Sequence, residues 1–168
     1  MADYRKLKPF ILKWEGGFVD NRRDKGGATN KGITLNTFRL YFGKGKTVTD
    51  LKRMTDAQWD YIFIKGFWDK FCATSIASQA VADACVDWAW TSGPAVVKLR
   101  VQRILGVRVD GVIGPKTLAA INHADPKVLF ERIKERRLRF VNNIVAQHPD
   151  QKVFLKGWVK RINALKYE

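Results

Sequence analysis

The chain has 168 residues, 46% of them hydrophobic, and a formal charge of +15 from 31 Lys and Arg against 16 Asp and Glu. That length bounds it to one compact core or two small lobes, and the charge marks a surface that attracts nucleic acid, anionic lipid or an acidic wall polymer without choosing among them. The apolar run Phe10-Ile11-Leu12 falls short of the roughly 7–15 residues of a signal-peptide core, Asp83 and Asp87 break the best window for the roughly 18 apolar residues of a membrane span, and the two cysteines, Cys72 and Cys85, make no disulfide framework.

In chain order, Tyr4, Leu7, Ile11 and Trp14 recur at helical steps and predict one apolar face over residues 3–15. Glu15 sits at the edge of that face, and Gly16-Gly17 offers the left-handed geometry at which helices commonly end. Residues 18–34, with Gly26, Gly27 and Gly32 among polar neighbours, read as a loop or small hairpin. Leu35, Phe38 and Phe42 make the next helix, and Thr55-Asp56-Ala57-Gln58 is a capping box opening a helix through Trp59, Ile62 and Phe63 that Gly66 should end or bend. A helix from about Ser75 carries Ile76, Ala80, Cys85 and Trp88 and stops at Gly93-Pro94. Val97, Val101, Ile104 and Leu105 form another. After the glycine-rich stretch 106–114, Pro115 starts a short helix through Leu118 and Ile121. Two last helices carry Leu129, Ile133, Phe140 and Ile144, then Phe154, Trp158, Ile162 and Leu165. The fold class is therefore all-α, or mainly α, with a small loop or hairpin after the first helix.

Glu15 is the residue with the clearest chemical potential. A carboxylate at a helix C-terminus meets the negative end of the helix dipole, and burial beside Trp14 removes water, so both favour the protonated acid that general acid catalysis needs. Glycosidases commonly pair such an acid with a second carboxylate that stays ionised, as in the handling of two carboxylates by lysozyme. Asp24, in the polar loop, is the best partner and Asp20 the nearer alternative. A helix-end glutamate bonded to loop amides is the plainer role for Glu15.

Glu15-Gly16-Gly17, Asp24, Gly26-Gly27-Ala28-Thr29-Asn30 and Gly32-Ile33-Thr34 together resemble the signature of glycoside hydrolase family 108, a lysozyme-like group of phage and bacterial N-acetylmuramidases. The resemblance implies a lysozyme-like fold, Glu15 as catalytic acid, Asp24 and Thr29 as its supporting pair, and no cofactor or metal. The chain departs from the pattern at Lys25, where a proline often stands. Leu105-Gly106-Val107, Asp110-Gly111, Ile113-Gly114-Pro115 and Thr117-Leu118 are similar to the peptidoglycan-binding region that accompanies these enzymes, and Thr91 stands where that pattern has asparagine. The implied division is a catalytic region at 1–92 and a helical peptidoglycan-binding region at 93–168, packed as one unit.

Sugar rings pack their apolar faces on aromatic side chains, which makes Tyr61, Trp68 and Trp88 the candidate substrate-binding residues, each weighed against a place in the core. Tyr61 stands off the Trp59, Ile62, Phe63 stripe. The basic run Arg132, Lys134, Arg136, Arg137, Arg139 reads as a solvated helix face, with attraction to an anionic wall or membrane as its functional counterpart. No P-loop is present, since Ile33 follows Gly32 where lysine is required, and His123 and His148 lack zinc-ligand spacing. A recognition helix for specific nucleic-acid binding is not visible either. The expected activity is cleavage of the peptidoglycan glycan strand at N-acetylmuramic acid by a monomer. Lytic transglycosylase activity and a non-catalytic wall-binding or secretion accessory role are the alternatives. Without a Sec-type signal, the protein is expected to be made in the cytoplasm and to reach the wall in the periplasm through a holin, an exporter or lysis, as phage endolysins do.

Overall fold

The computed structural model describes residues 1–20 and 27–168. The described residues form nine α-helices and one small antiparallel sheet, the mainly α architecture expected from the sequence. They divide into two compact units, an N-terminal one of Tyr4–Gly66 and a C-terminal one of Phe67–Glu168 with Met1–Asp3. No described helix is long and apolar enough to cross a membrane.

In the N-terminal unit, α1 (Tyr4–Trp14) buries Leu7 and Ile11 on the predicted face. Strands β1 (Val19–Asp20), β2 (Ala28–Asn30) and β3 (Ile33–Thr34) follow, then α2 (Leu35–Phe42), α3 (Val48–Lys52) and α4 (Asp56–Phe63). The capping box at Thr55 and Gln58 is formed. A second one, between Thr47 and Asp50, opens α3; the usual pattern asks for Glu or Gln at the third position, but the shorter Asp50 carboxylate reaches the Thr47 amide at 2.8 Å. Trp59 and Phe63 stack with centroids 5.0 Å apart; both are buried, as are Leu51 and Ile62, and burial of each such side chain contributes about 1.5–3 kcal/mol. After Phe63 the helix widens into a π turn, Ile64–Trp68. Gly66 therefore bends the helix instead of ending it, and its lack of a side chain matters because a Cβ there would stand 2.9 Å from the Tyr41 hydroxyl.

The C-terminal unit is built around α5 (Gln79–Ser92), which is buried on nearly every side: Ala80, Val81, Ala82, Ala84, Cys85, Val86, Asp87, Trp88 and Ala89 all lack exposure. A helix apolar all round belongs at the centre of a bundle, and its alanines let neighbours approach closely. It begins at a Ser78 cap, later than the start expected near Ser75, because Ala73–Ser75 forms a separate 3-10 turn after Cys72 enters the left-handed region at φ 49°. Around it run α6 (Pro94–Leu105), α7 (Pro115–His123), α8 (Pro126–Gln147) and α9 (Lys152–Ala164). Buried Gln102 organises the glycine-rich stretch between α6 and α7. Its amide nitrogen donates to Asp110 Oδ1 at 2.8 Å and to the Val112 carbonyl at 3.0 Å, and its carbonyl accepts from the Gly111 amide at 2.8 Å.

Three charges are also buried here. Asp87 Oδ1 accepts from Arg161 Nη2 at 2.7 Å and Oδ2 from Arg137 Nη1 at 2.7 Å. Arg137 therefore does not belong to the solvated basic face of the sequence reading; it takes the place of an apolar residue in the buried row Leu129, Ile133, Arg137, Val141. The two thiols also differ. Cys72 is exposed, whereas burial pushes the Cys85 thiol up to about 12. Labelling of the native protein with a maleimide at neutral pH should modify one thiol, at Cys72, and a second only after denaturation. Two thiols reacting at similar rates in the native state would mean that α5 opens.

Candidate active site

Glu15 follows α1 directly, half-buried, and its amide still donates to the Ile11 carbonyl at 3.1 Å. The left-handed stop expected from Gly16-Gly17 is absent, since neither glycine has positive φ. Both are exposed, and a Cβ on either would meet nothing within 4 Å. They leave the backbone that follows Glu15 without side chains.

The small sheet follows Glu15 closely in the chain. Val19 pairs with Thr29, Asp20 with Ala28, Thr29 with Thr34 and Asn30 with Ile33. Residues opposite one another on antiparallel strands share a face, so Val19, Thr29 and Thr34 form one row. Ala28 and Asn30 turn the other way into the core, leaving Thr29 half-buried. Because Val19 lies only four residues beyond Glu15, the register ties the catalytic candidate and Thr29 into one short stretch of chain.

This platform is rigid. Lys31 and Gly32 both have positive φ, 48° and 80°, which is the two-residue hairpin turn whose twist suits adjoining strands. Asn30 Nδ2 donates to the Leu51 carbonyl at 2.9 Å and Trp59 Nε1 donates to the Lys31 carbonyl at 3.1 Å, fastening the hairpin to α3 and α4. Part of the Gly-Ala-Thr-Asn-Lys-Gly pattern is thus scaffold. Asp20 lies exposed on β1. Asp24 and Lys25 lie outside the described residues.

Of the three aromatic candidates, Tyr61 alone offers its ring to solvent, at 49% exposure. Tyr41 meets it edge-on at 6.1 Å and Phe42 at 6.0 Å. Burial, with Tyr61 close by, raises the Tyr41 hydroxyl above the usual tyrosine range, so it stays a neutral donor. The sequence reading did not single out Tyr41, whose signal was its place beside Phe42 one helical step from the buried Phe38. Trp68 and Trp88 are core residues, 2% and 0% exposed, so a sugar ring cannot reach them and both leave the candidate set. Trp68 Nε1 donates to Thr74 Oγ1 at 2.9 Å, and Trp88 packs against Phe140. Thr91 is likewise engaged inside its own unit, donating to the Trp88 carbonyl and accepting from Arg137 Nη2, both at 3.1 Å.

Residues 8–93, which hold Glu15 and the whole sheet, match the glycosyl hydrolase 108 family, and residues 96–163 match a family described as a predicted peptidoglycan domain. Among solved structures, that of Brucella abortus SagA is similar, at 32% sequence identity and a TM-score of 0.83, over 96% of this chain and 90% of that one. No curated protein matches.

Proposed function

The chain belongs to the glycosyl hydrolase 108 family, and from that premise we propose that it cleaves the peptidoglycan glycan strand after N-acetylmuramic acid, with Glu15 as general acid. The coarser statement, a glycoside hydrolase whose partner is peptidoglycan, follows from its two family matches. The finer one is supported by the setting of Glu15, a half-buried residue at a helix end followed by exposed Gly16-Gly17 and, four residues on, by Val19, which pairs with Thr29. In this mechanism Glu15 gives its proton to the leaving glycosidic oxygen. A second carboxylate, Asp24 or Asp20, supports the positive charge developing on the sugar or activates water, and the Thr29 hydroxyl orients that water. Tyr61, backed by Tyr41 and Phe42, is the stacking surface for a sugar ring.

Mass spectrometry of digested peptidoglycan tests the reading. A muramidase leaves N-acetylmuramic acid at a free reducing end. An end lighter by one water would identify a lytic transglycosylase working from the same acid. A reducing N-acetylglucosamine, or intact glycan, would overturn the assignment.

In the same proposal the catalytic region spans 1–92 and the wall-binding region 93–168, a division supported by the two family matches meeting between residues 93 and 96. The enzyme reaches its substrate through a holin, an exporter or lysis and acts as a monomer. Arg132, Arg136 and Arg139 are exposed on α8 and draw the enzyme to the anionic wall without joining the chemistry. Replacing all three with glutamine should weaken sedimentation with isolated walls and flatten its dependence on salt, while soluble glycan fragments are cut at an unchanged rate. Equal losses on soluble and insoluble substrate would remove this division of labour.

A further inference from the structure

We propose that the groove between α6 and α8 binds a phosphate monoester through a cluster of arginines. This is a defined site beyond the general pull of α8 on an anionic wall, and it stands whichever glycosidic bond the enzyme cuts. Within the C-terminal unit α6 packs against α8. The groove is lined by Ile104 of α6 and by Arg132, Glu135, Arg136 and Arg139 of α8. Positions 132, 136 and 139 follow at helical steps of four and three, so their side chains share one face of α8. All three are exposed, so a phosphate can reach them with its ester chain still attached.

Two arginines of α6 extend the cluster. Arg100 holds its guanidinium 4.5 Å from the centre of the Phe140 ring, and its Nε is buried without a hydrogen-bond partner. Burial lowers the proton affinity of Arg100, and the charges of Arg103 and Arg136 lower it further, so it is repelled from both helices. Little within the fold relieves this. Glu135 is taken up by Arg139 at 2.6 Å. Among the described residues, no carboxylate comes within ion-pair distance of Arg100, Arg103, Arg132 or Arg136. Even with the neighbouring Glu131 counted, five arginines against two glutamates leave a net charge of +3. As scaffold, such crowding of like charge only costs stability; as a receptor, it suits an anion that carries more than one charge.

Charge and donor geometry choose the anion. Every cation lining the groove is an arginine, whose planar fork meets phosphate oxygens in pairs as a lysine ammonium cannot. A stem-peptide carboxylate brings one charge and two oxygens. A phosphate monoester near neutral pH brings close to two charges and three free oxygens, which answers more of the excess. From Arg132 to Arg139 the row is about 10 Å long at roughly 1.5 Å per residue, the reach of one or two phosphate groups.

The test is NMR of the isotope-labelled full chain at about pH 7.5 and constant ionic strength, titrated with methyl phosphate and with dimethyl phosphate, the same group with one charge fewer. Saturable shifts of the Arg100, Arg132 and Arg136 side-chain Nε–H signals are expected with the monoester, half-complete near about 1 mM, and binding of the diester weaker by roughly five-fold or more. Arg136→Lys keeps the charge but loses the fork, so affinity should fall by roughly five-fold or more. Lys44→Gln, which removes an exposed charge from the N-terminal unit, should leave affinity unchanged. Diffuse attraction would leave Arg136→Lys silent or make Lys44→Gln equally harmful; either result, or no saturation by about 10 mM, would overturn the inference. Sedimentation with phosphatidylcholine vesicles carrying phosphatidic acid then assigns the source. Uptake that methyl phosphate displaces marks a lipid headgroup, and methyl phosphate saturation without uptake marks a soluble phosphate ester.

Discussion

Glu15→Gln should lower glycan cleavage by roughly two to four orders of magnitude, with helix content and melting temperature close to those of the unmodified protein. Glutamine keeps the shape of the side chain and much of its hydrogen bonding at the half-buried end of α1, so the fold loses little. What disappears is the transferable proton. A glutamate that merely caps the turn after α1 would give the opposite pattern, a change in stability with most of the rate kept. An active Glu15→Gln enzyme would exclude Glu15 and move the search to Asp20 on β1 and to Asp24.

Asp87→Ala is expected to destabilise the C-terminal unit by about 3–5 kcal/mol, read from chemical denaturation, because it removes the carboxylate that two buried guanidiniums share. Arg137 is 3% and Arg161 8% exposed, so neither can turn to solvent without opening the bundle. Burial already lowers the proton affinity of Arg137, and Asp87 is the main influence opposing that shift. Replacing all three with apolar residues of similar size, Asp87→Leu with Arg137→Met and Arg161→Met, should recover most of the loss, since the charges hold one another in place more than they stabilise the fold. A loss below about 1 kcal/mol for Asp87→Ala would mean that water enters the site and that the charges are effectively solvated.

The sequence made most of the scaffold readable, for reasons that apply locally. Thr55 with Gln58, Gly93 before Pro94 and Gly114 before Pro115 mark helix boundaries through backbone chemistry that needs no distant partner, and each falls where the structure begins or ends a helix. Less legible were residues whose role is fixed by partners far along the chain. Arg137 looks like any other member of a basic run, and only its spacing of four from Ile133 and Val141 hints that it faces inward. Trp68 and Trp88 could be sugar platforms or core by composition alone; packing against Thr74 and Phe140 decides. Gly16-Gly17 illustrates a different limit. The pair matches a helix stop, yet the structure uses its bareness and not its freedom in φ. In the candidate site, Glu15, Thr29 and Tyr61 were legible as chemical types, whereas the register bringing Thr29 opposite Val19 was not.

The ion pair between Asp87 and Arg161 joins positions 74 residues apart, and at about 5–20 residues per second Arg161 leaves the ribosome roughly 4–15 s after its partner. Every partner within the N-terminal unit is available once Gly66 has been made. The C-terminal unit has no such early completion. Throughout that interval α5 carries a largely apolar surface around Asp87, whose Arg161 partner has not yet been made, so the nascent helix must stay open or be shielded. Nascent chains arrested between residues 92 and 161 should accordingly be cut by protease within α5 and be held by chaperones, and both sensitivities should vanish together once α9 has been released.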